Sequence, residues 1–217
     1  VRLGVTALVL LGCVAPDEFK TFFKRVGAWL AIFHCFAAND MHQENIVADG
    51  SHPIPIDLET ILQSSSSEQK ASTLEDAAFD AATEKLANSV MATGLLPAYG
   101  RGPDGKVFAM GGVTADWNTK IRIKWENINS DDMRPTRWKN VATNNPNLPH
   151  VNGRYAKFSD HIEELIAGFD AYARFILEKG KSAALFDGFS GLTVRKVVRA
   201  TRFYAMLLQR LKNHKTM

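Results

Sequence analysis

Asn39-Asp40-Met41-His42-Gln43-Glu44-Asn45, followed after eight intervening residues by Ile54-Pro55-Ile56-Asp57-Leu58-Glu59, decides how this chain is read. The stretch sets an Asp, an Asn five residues later and a second Asp twelve residues beyond that. Kinase-type phosphotransferases use this spacing. Their first Asp orients or deprotonates the attacking hydroxyl, and the Asn and second Asp hold the Mg²⁺ that bridges the nucleotide phosphates. Phosphoryl transfer needs such a set because its catalysis is mostly positioning plus neutralisation of charge on the phosphoryl oxygens.

The flanking residues predict how the acids are presented. Ile46-Val47-Ala48 is a short apolar run with Asp49-Gly50 behind it, a strand entering a tight turn, and Ile54-Pro55-Ile56 is a second run that ends at Asp57. Two strands joined by a turn, one preceded by a polar loop and the other delivering an acid, form a hairpin suited to holding metal ligands. The competing reading makes Asp40, His42, Glu44 and Asp49 solvated loop residues. A zinc site through His34 and His42 is disfavoured: no Cys pair or HExxH pattern frames it, and carboxylate and amide oxygens suit Mg²⁺ better.

DMHQEN, then ADGSHPIPIDLET, closely resembles a stretch of the dehydratase domain of class II lanthipeptide synthetases (the LanM type). Further stretches are similar in order: Phe22-Phe23-Lys24-Arg25-Val26-Gly27, Thr93-Gly94-Leu95-Leu96-Pro97, Asn144-Asn145-Pro146, Gly168-Phe169 with Tyr172, and Arg195, Arg199, Thr201 and Tyr204. The resemblance runs from about Cys13 to the C-terminus. It implies an α+β, mainly helical fold like the C-terminal lobe of a protein or lipid kinase, with a short β-hairpin carrying the metal ligands. It also implies a chemistry: Ser and Thr of a ribosomal precursor peptide are phosphorylated with ATP and Mg²⁺, and the phosphate is then eliminated to leave dehydroalanine and dehydrobutyrine. Asp40 would serve phosphorylation, with His42 beside the transferred phosphate. Asn45 and Asp57 would bind the cofactor and its metal, with Glu59 assisting. Arg195 and Thr201 would belong to elimination, which needs cationic and hydrogen-bonding groups for the departing phosphate.

The last stretch can also be read from its own residues. Gly191 to Met217 holds seven Lys or Arg and no Asp or Glu, in a chain of net charge +3. Thr193 to Arg199 reads as a short strand, and Thr201 as the N-cap of a helix bearing Phe203, Tyr204, Leu207, Leu208 and Leu211 at helical spacing. A hydroxyl and free N–H groups at a helix N-terminus beside arginines make an anion site. The alternative is a simple cap on a solvated cationic face. No nucleic-acid module is recognisable.

Composition sets the outer limits. With 217 residues and 46% apolar content, the chain is one domain or a large piece of one. Two cysteines, Cys13 and Cys35, form no secreted disulfide framework, so a reducing cytoplasmic setting is expected, with Cys35 as a small core residue of an apolar helix. Leu3 to Val14 is apolar but too short for a membrane span; Leu10-Leu11-Gly12-Cys13 resembles a lipoprotein cleavage site, against which Pro16-Asp17 continue without a linker.

A helix is expected from Asp17 to about Ala37 with a stripe of Phe19, Phe22, Phe23, Val26, Leu30 and Phe33. Ser64 to Lys70 reads as a polar loop where a kinase carries its activation segment, and Ala77 to Thr93 as helical. Tyr99 to Asn152 reads as irregular and peptide-facing, with one strand-like run at Ile121 to Trp125. Ser159 is expected to cap a helix that runs to Lys179 and closes at Gly180. No glycine-rich phosphate loop or strand lysine precedes Asp40, no zinc cyclase domain follows, and no initiator Met is present. Residues 1–217 are therefore expected to be part of a dehydratase domain, separate from its N-lobe and cyclase. Two alternatives stay open: a simple kinase that leaves its product phosphorylated, and a non-catalytic peptide-binding piece.

Overall fold

Helix α1 (Asp17–Cys35) forms on the expected stripe: Phe22, Phe23, Val26, Leu30 and Phe33 are all buried, and Phe19 packs against them from the edge. A computed structural model describes residue 15 and residues 17–62, 73–101, 105, 107–115, 119–141, 145–181, 186–193 and 201–211. Asp17 and Glu18 open α1, where exposed N–H groups favour negative charge, and Glu18 accepts the Ala15 N–H at 3.2 Å. The helix ends in a Schellman motif. Ala38 N–H donates to Phe33 C=O at 2.8 Å and Ala37 N–H to His34 C=O at 3.3 Å, with Ala37 left-handed at φ 47°. An alanine there costs about 1–2 kcal/mol, offset by Ala38 and Phe33 joining the core. This cap points the chain into the loop at 39–45.

Strands β1 (Ile46–Asp49) and β2 (His52–Pro55) pair antiparallel, from Ile46 opposite Pro55 to Asp49 opposite His52. Gly50 at φ 56° supplies the left-handed residue their tight turn needs. Ala48 N–H donates away from β2, to Pro146 C=O at 2.6 Å, and Ile56 N–H donates to Asn45 C=O at 3.0 Å. By alternation, Pro53 and Pro55 occupy positions that contribute no ladder donor, so their missing N–H groups cost nothing. They also leave the outer edge of β2 without donors, which blocks adventitious strand pairing.

Helix α3 (Ile162–Lys179) crosses α1 at two glycines. A Cβ on Gly27 would stand 1.9 Å from Leu165 O, and one on Gly168 would stand 1.8 Å from Lys24 O. No other residue permits backbones this close. Leu165 and the α1 stripe join Met41, Ile46, Ala48, Leu95, Val113, Leu148 and Ala156 in one core. Helices α2 (Leu74–Ala87) and α4 (Thr201–Leu211) and the hairpins β3–β4 (Ala98–Arg101, Val107–Met110), β5–β6 (Thr119–Glu126, Arg134–Val141) and β7–β8 (His150–Val151, Arg154–Tyr155) complete the described elements.

Four expectations change. Ala77 to Thr93 is not one helix: α2 begins at Leu74 behind a Thr73–Asp76 capping box, ends at Ala87, and is followed by a 3₁₀ turn at Val90–Thr93. Tyr99 to Asn152 carries hairpins where irregular chain was expected, because Ile121–Trp125 finds a partner in residues 134–141 that Pro135 disguised. Ser159 does not cap α3; a 3₁₀ turn (Phe158–Asp160) intervenes, its hydroxyl donates to Asp160, and His161 takes the cap position without a side-chain bond. Gly180 does close α3 as expected, in right-handed geometry. Cys35 is exposed, because the last turn of α1 rotates it away from the stripe, although partial burial of its thiol pushes its pKa up. The stretches Leu3–Val14, Ser64–Lys70 and Val194–Arg199 lie outside the described residues.

Candidate functional site

The loop from Asn39 to Asn45 is gripped from three sides. Asn39 N–H donates to Thr60 C=O at 3.3 Å, and the buried Thr60 hydroxyl donates back to Asn39 C=O in a short contact. Met41 is fully buried, and its N–H donates to Thr93 C=O at 2.8 Å. Gly94, left-handed at φ 75°, lies beneath Met41, where a Cβ would stand 3.2 Å from the Met41 nitrogen. The Thr93-Gly94-Leu95 stretch therefore acts as the floor of this loop.

That grip leaves Asp40 on the surface in a demanding conformation. Its φ is 68°, a left-handed geometry that Asp tolerates better than most side chains. The Asn45 amide holds it: Asn45 Nδ2 donates to Asp40 C=O at 2.8 Å. Since a carbonyl can only accept, this bond fixes the amide's orientation and turns its Oδ1 elsewhere. His42 adds a second contact, with Nε2 3.5 Å from Asp40 Oδ1. The other ring nitrogen, Nδ1, accepts the Glu44 N–H at 3.1 Å, so the neutral ring carries its proton on Nε2, facing the carboxylate. Asp40 is 59% exposed and His42 39%, so both reach solvent.

The hairpin brings the second acid alongside. The Ile56 N–H to Asn45 C=O bond extends the β1–β2 ladder by one pair, so Asp57 follows immediately after the residue opposite Asn45. Asp57 Oδ1 accepts the Glu59 N–H at 3.2 Å, which pins the turn and keeps both residues exposed. Asp40, His42, Asn45 and Asp57 thus share one end of the hairpin, with Glu59 two residues on. Arg195 lies outside the described residues, and Thr201 is the first residue of α4.

Among the described residues, no three His, Cys, Asp or Glu side chains converge to hold a metal ion. The donors present are of another kind. Asn45 Oδ1 and the second oxygen of Asp57 are hard oxygen atoms that accept no hydrogen bond from the described residues. Magnesium typically takes one or two protein carboxylates and completes its octahedron with phosphates and water, so this partial set fits its chemistry.

Several braces give no catalytic signal in the sequence. Arg25 Nη1 donates to Ser51 C=O at 2.9 Å and Ser51 Oγ at 2.7 Å, and Trp29 Nε1 donates to Pro53 C=O at 3.0 Å; together they pin the hairpin to α1. Buried Asn147 donates to Gly112 C=O at 2.9 Å and Thr114 C=O at 3.0 Å. Gly112 in turn lies against the loop, since a Cβ there would stand 2.5 Å from Met41 O. Only the polar residue types hinted at these roles.

The sequence is similar to those of known proteins. A family model described as a domain of unknown function (DUF4135) matches residues 10–217. The lacticin 481/lactococcin biosynthesis protein LcnDR2 of Lactococcus lactis subsp. lactis is 26% identical over 212 residues, which cover 91% of this chain and 22% of that protein. The chain spans about a fifth of the length of the relative it matches.

Proposed function

This chain belongs to the DUF4135 family, and on that footing we propose that it is the phosphoryl-transfer portion of a lanthipeptide dehydratase. Its substrate would be a ribosomal precursor peptide whose Ser and Thr residues are phosphorylated and then lose phosphate. The observation that carries the reading is the left-handed Asp40, held by the Asn45 amide at the hairpin end where Asp57 emerges. The similarity to a protein of lacticin 481 biosynthesis supports the peptide substrate.

Asp40 accepts a hydrogen bond from the incoming hydroxyl and takes its proton as the oxygen attacks phosphorus. His42 directs its Nε2 proton toward the same space and steadies the Asp40 carboxylate. Asn45 and Asp57 would hold Mg²⁺, with Glu59 assisting at the exposed side; when bound with ATP, the ion neutralises charge on the phosphate oxygens. Arg195 and Thr201 are assigned to elimination, where a planar cation and a hydroxyl stabilise departing phosphate. A kinase-lobe-like arrangement and a cytoplasmic setting follow from the same proposal. Among the described residues no helix is long and apolar enough to cross a membrane.

The test is mass spectrometry of a Ser/Thr-rich precursor incubated with ATP, Mg²⁺ and the protein in its full-length form. Phosphorylation adds about 80 Da and dehydration removes about 18 Da. Asp40→Ala is expected to abolish both changes, whereas Thr201→Ala is expected to accumulate phosphopeptide. Normal dehydration by Asp40→Ala would overturn the proposal, and normal dehydration by Thr201→Ala would remove the elimination assignment.

A further inference from the structure

A groove of about 930 Å³ runs along the hairpin from Asp49 and His52 at its turn to Pro55, between α1, β2 and α3. Ala28, Ile32, Gly168 and Ala171 line it together with the aromatic rings of Trp29 and Tyr172. The space is a product of the glycine crossing, which draws α1 and α3 together below it and leaves small residues above. Its volume is that of a ligand site, and its lining is mostly apolar with a few polar groups, as such sites are.

The rim has a sign. Lys24, Arg25 and His52 border the groove against a single acid, Asp49. Arg25 is committed to Ser51, but Lys24 and His52 make no hydrogen bond or ion pair with the described residues. On the strand side, Pro53 C=O is taken by Trp29. Pro55 stands at the equivalent register position and turns its carbonyl to the same side. The β2 edge therefore offers an acceptor and no donor. A ligand that suits this site brings a carboxylate for Lys24, an apolar side chain for the lining and an N–H for Pro55.

We infer that this groove docks an extended peptide segment in which an acidic residue neighbours a large apolar one. The inference rests on the peptide-substrate reading above and adds where the peptide is held. The turn end of the groove, at Asp49 and His52, lies about 13 Å along the strand from Asn45, whereas its other end, at Pro55, lies two residues from Asp57. A docked segment would thus run along β2 toward the Ser or Thr being modified.

The experiment is fluorescence anisotropy on the 217-residue chain, without ATP or Mg²⁺. The probe is a short fluorescein-labelled peptide in which Glu and Leu alternate, compared with versions carrying Lys for Glu or Ser for Leu. Binding is expected for the Glu/Leu peptide alone, weakened at least about tenfold by Lys24→Glu and by Ala28→Trp, which fills the groove. Ala171→Trp fills it from the opposite wall and serves should Ala28→Trp fail to fold, as judged by circular dichroism. Asp40→Asn is expected to bind normally, which separates failure of docking from failure of the phosphotransfer proposal. Three results would overturn the inference: equal binding of all three peptides, displacement by inorganic polyphosphate as effective as by unlabelled peptide, or self-association of the chain that Ala28→Trp abolishes while peptide binding persists.

Discussion

Gly168→Ala sets two well-understood effects against each other, and the structure decides the winner. Gly168 sits in the interior of α3, where alanine is favoured over glycine by about 1 kcal/mol of helix propensity. Judged by sequence alone, the substitution is stabilising. The new Cβ, however, would stand 1.8 Å from the backbone oxygen of Lys24, far inside van der Waals contact. A carbonyl within a helix cannot rotate away as a side-chain tip can, so α3 must retreat from α1. Retreat opens the core around Phe23, Val26 and Leu165, and overpacking of this kind costs about 1–3 kcal/mol. Because backbone opposes backbone the cost falls in the upper part of that range, so against the propensity gain the net expectation is a loss of about 1–2 kcal/mol, or roughly 2–8 °C in Tm for a chain of this size. Thermal and urea unfolding followed by circular dichroism measure it. Gly27→Ala should behave alike, and the double variant should cost less than the sum, because one displacement of α3 relieves both clashes. An unchanged or higher Tm for Gly168→Ala would refute the crossing geometry, and with it the spacing that shapes the groove.

Asn147→Ala leaves the carbonyls of Gly112 and Thr114 without their buried donor and is expected to destabilise by about 2–4 kcal/mol, read as a lower urea midpoint at constant slope. In a Cys13→Ser background, Cys35 is expected to react with iodoacetamide more slowly at neutral pH than a free cysteine. Its burial-raised pKa lowers the thiolate fraction, so the deficit should close as pH rises past the thiol's own pKa; a neutral-pH rate matching free cysteine would contradict it.

Local signals carried much of the fold. The α1 stripe, the Gly50 turn and the two short strands beside it are visible because each depends on neighbours only a few residues away. The Thr73-x-x-Asp76 box was equally local and marks the start of α2 three residues before the apolar pattern does. Residues 134–141 failed as a strand on sight because Pro135 argues against one; pairing with 119–126 overrides that preference. Ser159 looked like a cap because its residue type is right, but the intervening 3₁₀ turn is set by packing rather than by the side chain.

At the candidate site the division follows the same physics. Residue type and spacing along the chain determined which groups are the candidates for the proposed chemistry: a carboxylate, an imidazole, an amide and a second carboxylate at fixed separations. Only the tertiary structure decided how they meet. Asp40 is turned into its left-handed conformation by the Asn45 amide and held up by Thr93 and Gly94, roughly fifty residues away. The groove belongs wholly to that second category. It lies where α1 and α3 meet closely, Gly27 against Leu165 and Gly168 against Lys24, and contact between residues far apart in the chain leaves no period, motif or composition in the sequence to read.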